Sequence, residues 1–309
     1  MVEARPQVVV ITGASAGVGR ALARLYGARG ASVGLIARGV DGLEGAAREI
    51  TDAGGRALVL PLDVADAAAV EDAAERIEQE LGPIDLWINN AMASVFSPVH
   101  EMRAEEYERV TKVTYLGYVH GALAALKRMR PRDHGTILFV GSALAYRGIP
   151  LQSAYCGAKH ATKGFFESVR TELMSRDSGV RVTMVQLPGL NTPQFSHCRS
   201  KMPNAPMPVP PIFQPEVAAD AIVWAAEHSR REVYVGGSTV KVIEGNKVAA
   251  GVADRYLART GVDSQQTDER IGGRDGNLFE PVPGDPGPHG SFDDQAKGRS
   301  IQLWFSKHR

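Results

Sequence analysis

Only two cysteines, Cys156 and Cys198, occur in the chain, too few for a disulfide framework and spaced unlike any zinc motif. A reducing, cytoplasmic setting is expected, with no metal. Net charge is missing as well. Thirty-five Lys and Arg balance 35 Asp and Glu, so no basic field draws in nucleic acid or an anionic membrane. Charges, glycines or prolines interrupt every apolar stretch before the roughly 18 residues that a membrane-spanning helix needs. Glu3 and Arg5 run straight into an apolar segment, leaving no room for the parts of a secretory leader. The expectation is a soluble protein with a small-molecule partner.

What the chain does have is apolar content, 44% of 309 residues, enough for one large core. Aliphatic runs alternate with longer helical patterns through the first two-thirds, the pattern of parallel strands joined by crossover helices. Strands are expected at Val8 to Ile11, Ser32 to Ala37, Ala57 to Leu62, Leu86 to Asn89, Thr136 to Gly141, Val180 to Leu187 and Glu232 to Val235. Helices are expected at Arg20 to Arg29, 41–53, 67–81, 104–129, 153–176 and Glu216 to Glu227. The fold class is α/β, a doubly wound parallel sheet of the Rossmann type in three α/β/α layers. Residues 1–239 are expected to form the catalytic domain. Within it, Pro193, Pro203, Pro206, Pro208, Pro210 and Pro211 bar long regular elements from about 188–215, and this loop reads as a lid. Residues 240–309 form a C-terminal extension, partly irregular: 261–300 reads as loop or disorder. It ends in Ile301, Leu303, Trp304 and Phe305, an apolar cluster expected to dock on the cleft, a neighbouring subunit or a membrane.

After the first strand comes Thr12-Gly13-Ala14-Ser15-Ala16-Gly17-Val18-Gly19. Glycine permits the tight turn and close approach that a pyrophosphate requires, and the following helix offers free N–H groups to it. Gly13, Ser15, Ala16, Gly17, Val18 and Gly19 are therefore candidate cofactor residues. The second strand ends in Arg38 rather than a carboxylate, which favours the 2′-phosphate of NADP(H) over the bare ribose of NAD(H). Asp63 and Val64, closing the third strand, suit the adenine edge; Asp63 is equally at home as a helix N-cap.

Tyr155-Cys156-Gly157-Ala158-Lys159 opens a helix, and the i, i+4 spacing stacks tyrosine and lysine on one face. A free tyrosine ionises near ~10, and an adjacent ammonium lowers that value, making a usable acid and base. Ser142 closes the fifth strand at the end that faces a ligand crevice in doubly wound folds. Cys156 reads as a small packed residue.

Together the glycine pattern, Asn89-Asn90-Ala91, Ser142, Tyr155-x-x-x-Lys159 and Pro188-Gly189 resemble the short-chain dehydrogenase/reductase family over roughly residues 7–236. The resemblance implies hydride transfer between nicotinamide and a carbonyl or alcohol carbon. It gives Tyr155 the proton, Lys159 the nicotinamide ribose and a lowered Tyr155 pKa, and Ser142 the carbonyl. Asn90 and Ala91 would line the cofactor cleft, and Pro188, Gly189 and Thr192 would meet the carboxamide. It also implies a homodimer or homotetramer. Three departures stand out. Met92 replaces a usual glycine and narrows the pocket; Thr114 replaces an asparagine that steadies a proton-relay water; and the loop to Thr192 is one residue short. Met92, Leu144, Tyr146 and Phe195 make a greasy substrate pocket. The expected activity is therefore an NADP(H)-dependent oxidoreductase acting on an apolar small molecule. The alternatives are a dinucleotide-binding regulator or scaffold with little turnover, and an epimerase or dehydratase on a nucleotide sugar.

Overall fold

β1 (Val8–Thr12) lacks polar alternation and is buried along its whole length, as a strand covered on both faces must be. In the computed structural model, which describes residues 7–308, it is followed by β2 (Ser32–Ala37), β3 (Arg56–Pro61), β4 (Leu86–Asn89), a two-residue β5 (Val95–Phe96), β6 (Thr136–Ser142) and β7 (Arg181–Leu187). The short β8 (Arg199–Ser200) and β9 (Asn204–Pro206) precede β10 (Glu232–Tyr234) and β11 (Gln266–Arg270). Seven of these form one sheet in the order β10-β7-β6-β4-β1-β2-β3, parallel throughout.

Helices α1 (Gly17–Gly27), α2 (Val40–Asp52), α3 (Ala67–Leu81), α4 (Ala104–Thr111), α5 (Gly117–Arg132), α6 (Ser153–Met174), α7 (Gln194–His197), α8 (Pro215–Glu227), α9 (Gly237–Thr260) and α10 (Ile301–Lys307) complete the order. One core, with Leu22, Tyr26, Leu43, Ile50 and Ile222, lies between the sheet and α1, α2 and α8. The other, with Ile77, Tyr118, Met129, Phe166 and Leu173, lies between its opposite face and α3, α5 and α6. The chain is thus the three-layer Rossmann fold that its alternating pattern implies. Strand order reverses between β1 and β4, which opens a crevice at the carboxyl ends of the strands.

The single helix expected at 104–129 is interrupted. A π turn at Lys112–Leu116 separates α4 from α5, and Thr162 Oγ1 on α6 donates to the Thr114 carbonyl within it (3.2 Å). The 188–215 segment carries only α7 and two short strands. It is held by pairing of β8 with β5 and of β9 with β11, and by buried Glu106, which binds Arg199 (2.5 Å) and Lys201 (2.8 Å).

Past residue 236 the structure departs most from expectation. Regularity resumes as the 24-residue α9, kinked at Ala249 (φ −141°, ψ 48°). The stretch at 261–300 is irregular in backbone but packed: Gln265 and Leu278 are fully buried. Of the apolar end, Leu303 joins the core beside α8, whereas Ile301, Trp304 and Phe305 stay exposed.

Candidate active site

The glycine turn is shaped by contact as well as by conformation. Gly13 adopts φ +69°, and a Cβ there would lie 2.9 Å from the Ala91 Cα; one on Gly19 would lie 2.1 Å from the Gly13 carbonyl oxygen. The turn and Asn90-Ala91 are locked together: Thr12 Oγ1 accepts from the N–H groups of Asn90 (2.9 Å) and Ala91 (3.1 Å), and Asn90 Nδ2 donates to the Thr12 carbonyl (2.9 Å). Both segments that flank the crevice are therefore fixed to each other.

A single cavity of about 1040 Å³ occupies the crevice. At one end its walls are the glycine turn, Arg38, Asp63, Val64, Asn90 and Ala91; beyond lie Ser142, Tyr155 and Lys159, with Pro188, Gly189 and Thr192 opposite. Met92, Leu144 and Phe195 reach the same space. Tyr146, expected there too, does not. The tight turn Ala143–Ala145 carries it to the sheet edge, where its hydroxyl donates to Glu232 (2.6 Å) and Lys163 lies over its ring. Arg147 and Ile149 line the cavity in its stead.

Ser142 ends β6 and Tyr155 opens α6, so strand end and helix start bring hydroxyl and phenol together. Burial pushes the Tyr155 phenol well above its ordinary range, and hydrogen bonding with Ser142 pulls the other way. Lys159 is buried, donating to the Tyr118 hydroxyl (2.9 Å) and the Val140 carbonyl (2.7 Å). Burial lowers its pKa to about 7, because no carboxylate stands beside it to favour the charged form. Its Nζ lies 5.7 Å from the centre of the Tyr155 ring.

Tyr118 was not anticipated. Its hydroxyl also donates to Val140 (3.0 Å), and the signal was its place one residue after Gly117, on the helix turn that faces β6. Thr114 is buried away from the cavity: its Oγ1 accepts from Ala93 N–H and donates to the Ala93 carbonyl, each at 2.9 Å. The hydroxyl holds the link between β4 and β5 in place and hydrogen-bonds to neither Lys159 nor Tyr155.

Around Arg38 the tail takes part. Arg38 donates to the carbonyls of Asn277 (2.6 Å) and Phe279 (2.7 Å), and Arg109 to that of Leu278 (3.0 Å). Arg109 also bridges to Asp63 (2.5 Å). From there the chain crosses the glycine turn, where Gly17 N–H donates to the Gly287 carbonyl (3.1 Å). The crossing is fixed by buried Arg20, which grips Asp285 through both terminal nitrogens (2.9 and 3.1 Å). Asp293 and Phe292 then meet Asn191. Composition could not disclose this strap, since its contacts are mostly backbone carbonyls.

A dinucleotide-type crevice with a tyrosine, a lysine and a serine converging at its centre defines an oxidoreductase of the doubly wound class. The chain belongs to the short-chain dehydrogenase family, whose model matches residues 7–203. It is 32% identical over 266 residues to an uncharacterised oxidoreductase, YxnA, of Bacillus subtilis strain 168, covering 85% of this chain and 75% of that one. It is also 32% identical over 221 residues to a fatty acyl-CoA reductase of Acinetobacter baylyi, covering 71% and 72%. Human dehydrogenase/reductase SDR family member 7 is 38% identical over 175 residues, but these span 55% of this chain and only 52% of that protein. Among solved structures, a metagenomic short-chain oxidoreductase in complex with NADP superposes with a TM-score of 0.63 at 29% identity, covering 74% of this chain and 96% of that one. Among the described residues no helix is long and apolar enough to cross a membrane.

Proposed function

We propose that the chain transfers a hydride between NADP(H) and a carbonyl or secondary alcohol carbon of an apolar small molecule, with Tyr155 as the proton-transfer group. The observation that carries this is the convergence of Ser142, Tyr155 and Lys159 on one cavity whose far end is the glycine turn and Arg38. Supporting a dinucleotide there are the glycines where a Cβ would collide and an arginine at the end of β2; the Gly17 N–H, held by the Gly287 carbonyl, would have to turn to the phosphates. The NADP complex of the solved relative and the reductase name of the Acinetobacter protein agree with it.

The nicotinamide, when bound, supplies or accepts the hydride; the protein's residues place the substrate and move the proton. Ser142 holds the substrate oxygen beside the Tyr155 phenol. Because burial keeps that phenol protonated well past neutrality, Tyr155 stands ready to give its proton to an oxygen that gains negative charge, the direction of reduction. Lys159, whose Nζ lies 5.7 Å from the centre of the Tyr155 ring, favours in its charged form the phenolate that Tyr155 leaves behind.

Purified protein given NADPH and a panel of aldehydes and ketones should oxidise NADPH, and Tyr155→Phe should lower kcat by about 10²–10⁴. An unchanged rate in Tyr155→Phe would remove the tyrosine from the mechanism. Tight NADPH binding with no oxidation across the panel would favour a dinucleotide-binding regulator.

A further inference from the structure

Helix α9 has a partner missing from its inner face. A surface helix is normally held by an apolar stripe against the core, yet of the described residues of α9 only Thr239 and Ile243 are buried. Its stripe is present all the same: Val242, Gly245, Ala249, Val252 and Tyr256 recur at three- and four-residue steps, and all five line the cavity that contains Ser142 and Tyr155. Val252 and Tyr256 are 63% and 65% exposed, so the cavity opens to solvent between them.

The lobe is mostly apolar, with Leu144, Ile149 and Val209 beside the α9 stripe; its polar members on α9, Ser238, Thr239, Lys241 and Asn246 among them, include no Asp or Glu. Arg147, a cation on this wall, is already bound by Asn246 (3.2 Å) and Asp254 (2.5 Å). At Gly245 a side chain would meet nothing within 4 Å, so the helix leaves open volume where an ordinary helix former would place a side chain.

We infer that this lobe binds the aliphatic tail of the substrate, and that the natural substrate is a long-chain carbonyl compound or alcohol whose reacting carbon sits at Tyr155. The inference rests on the hydride-transfer reading above and names the substrate class for that site. From Val242 to Tyr256 the two segments of the helix, which meet at the Ala249 kink, span at most about 20 Å at 1.5 Å per residue. An extended alkyl chain advances roughly 1.3 Å per carbon, given a C–C bond near 1.5 Å, so the lobe accepts a chain of about a dozen carbons or more. The tail completes the apolar contact that α9 lacks.

The test is chain-length dependence. With NADPH and straight-chain aldehydes from four to sixteen carbons, KM should fall by about fourfold per added methylene, at ~0.8 kcal/mol each, and level off once the lobe is full. In Gly245→Trp the ratio of kcat/KM for the twelve-carbon over the four-carbon aldehyde should collapse at least tenfold. In Val248→Trp, on the solvent side of α9 and 87% exposed, the ratio should stay as in the parent. Binding of 1-dodecanol against 1-butanol, followed by calorimetry, reads the lobe without turnover. A steep preference for dodecanol with no oxidation of NADPH would uphold the lobe and overturn the redox reading instead. A flat dependence in both assays overturns the inference. So does a Gly245→Trp variant whose oligomeric state changes by light scattering while its chain-length ratio does not, because α9 would then be covered by a second copy.

Discussion

Lys159 makes the folded protein less stable than it would be without it, and the amount is large enough to measure. Its ammonium is taken out of water and given only the Tyr118 hydroxyl and the Val140 carbonyl. Moving a lysine from its ordinary 10.5 to about 7 corresponds to about 5 kcal/mol at 1.36 kcal/mol per tenfold change. The sign follows from proton counting: between pH 7 and 10.5 the unfolded chain holds this proton and the folded chain does not, so stability rises with pH. The penalty is complete below pH 7 and gone above 10.5. Lys159→Met keeps the stem and deletes the charge, while Tyr118 and Val140 still bond each other (3.0 Å). In the absence of cofactor, the variant should therefore be more stable than the parent by up to about 5 kcal/mol at pH 6, a rise in Tm of roughly 5–10 °C at the scale for large domains. The difference should shrink steadily toward pH 10, while turnover falls at least a hundredfold. Urea midpoints measured for both proteins at pH 6, 7.5, 9 and 10 decide it, and other titrating groups cancel in the difference. A variant no more stable than the parent at pH 6, or a gap that ignores pH, would refute the reasoning.

Thr114→Val removes the hydroxyl that satisfies both backbone groups of Ala93 and should cost about 1–3 kcal/mol in a urea titration, with kcat within about threefold of the parent; a hundredfold loss of kcat at unchanged stability would make Thr114 a proton relay. Asp285→Ala leaves buried Arg20 with Glu49 (2.6 Å) as its remaining carboxylate and should cost about 1–3 kcal/mol; limited proteolysis should then cut between residues 277 and 290, where the parent resists. Arg38→Ala should weaken NADPH binding at least tenfold and NADH binding by less than threefold, read by fluorescence titration; equal losses would place the 2′-phosphate elsewhere.

The fold was legible wherever backbone pairing and apolar periodicity agree. Leu86–Asn89 and Ala67–Leu81 fall where expected to the residue, because a short aliphatic run or an Asp66 N-cap leaves little choice. Helix α9 escaped for the reason that makes it interesting. Its small and apolar residues face a cavity rather than a core, so the pattern has gaps at Gly245 and Ala249 where packing residues would normally stand. Tyr146 was misplaced because sequence adjacency to Ser142 says nothing about which way a tight turn aims the next side chain. Tyr118 and the strap share a different obstacle: a hydroxyl against a lysine 41 residues on, or a carbonyl against a distant guanidinium, leaves no periodic trace.

What lies beyond residue 236 acts on the two ends of one cavity by different physics. At the α9 end the wall is mostly apolar and under-packed, so an apolar group that enters is held chiefly by area and tolerates variation in shape. At the other end the strap is held by hydrogen bonds to Arg38, Arg109 and Gly17, each to a neutral carbonyl. A phosphate would bring a full negative charge to the same guanidinium, which a carbonyl does not, so on the proposed reading a 2′-phosphate at Arg38 would displace the carbonyls of 277 and 279 there. A bare ribose hydroxyl offers no such gain. On the proposed reading the strap competes with the cofactor for Arg38, while Asp285 keeps it tethered to Arg20 beside the glycine turn.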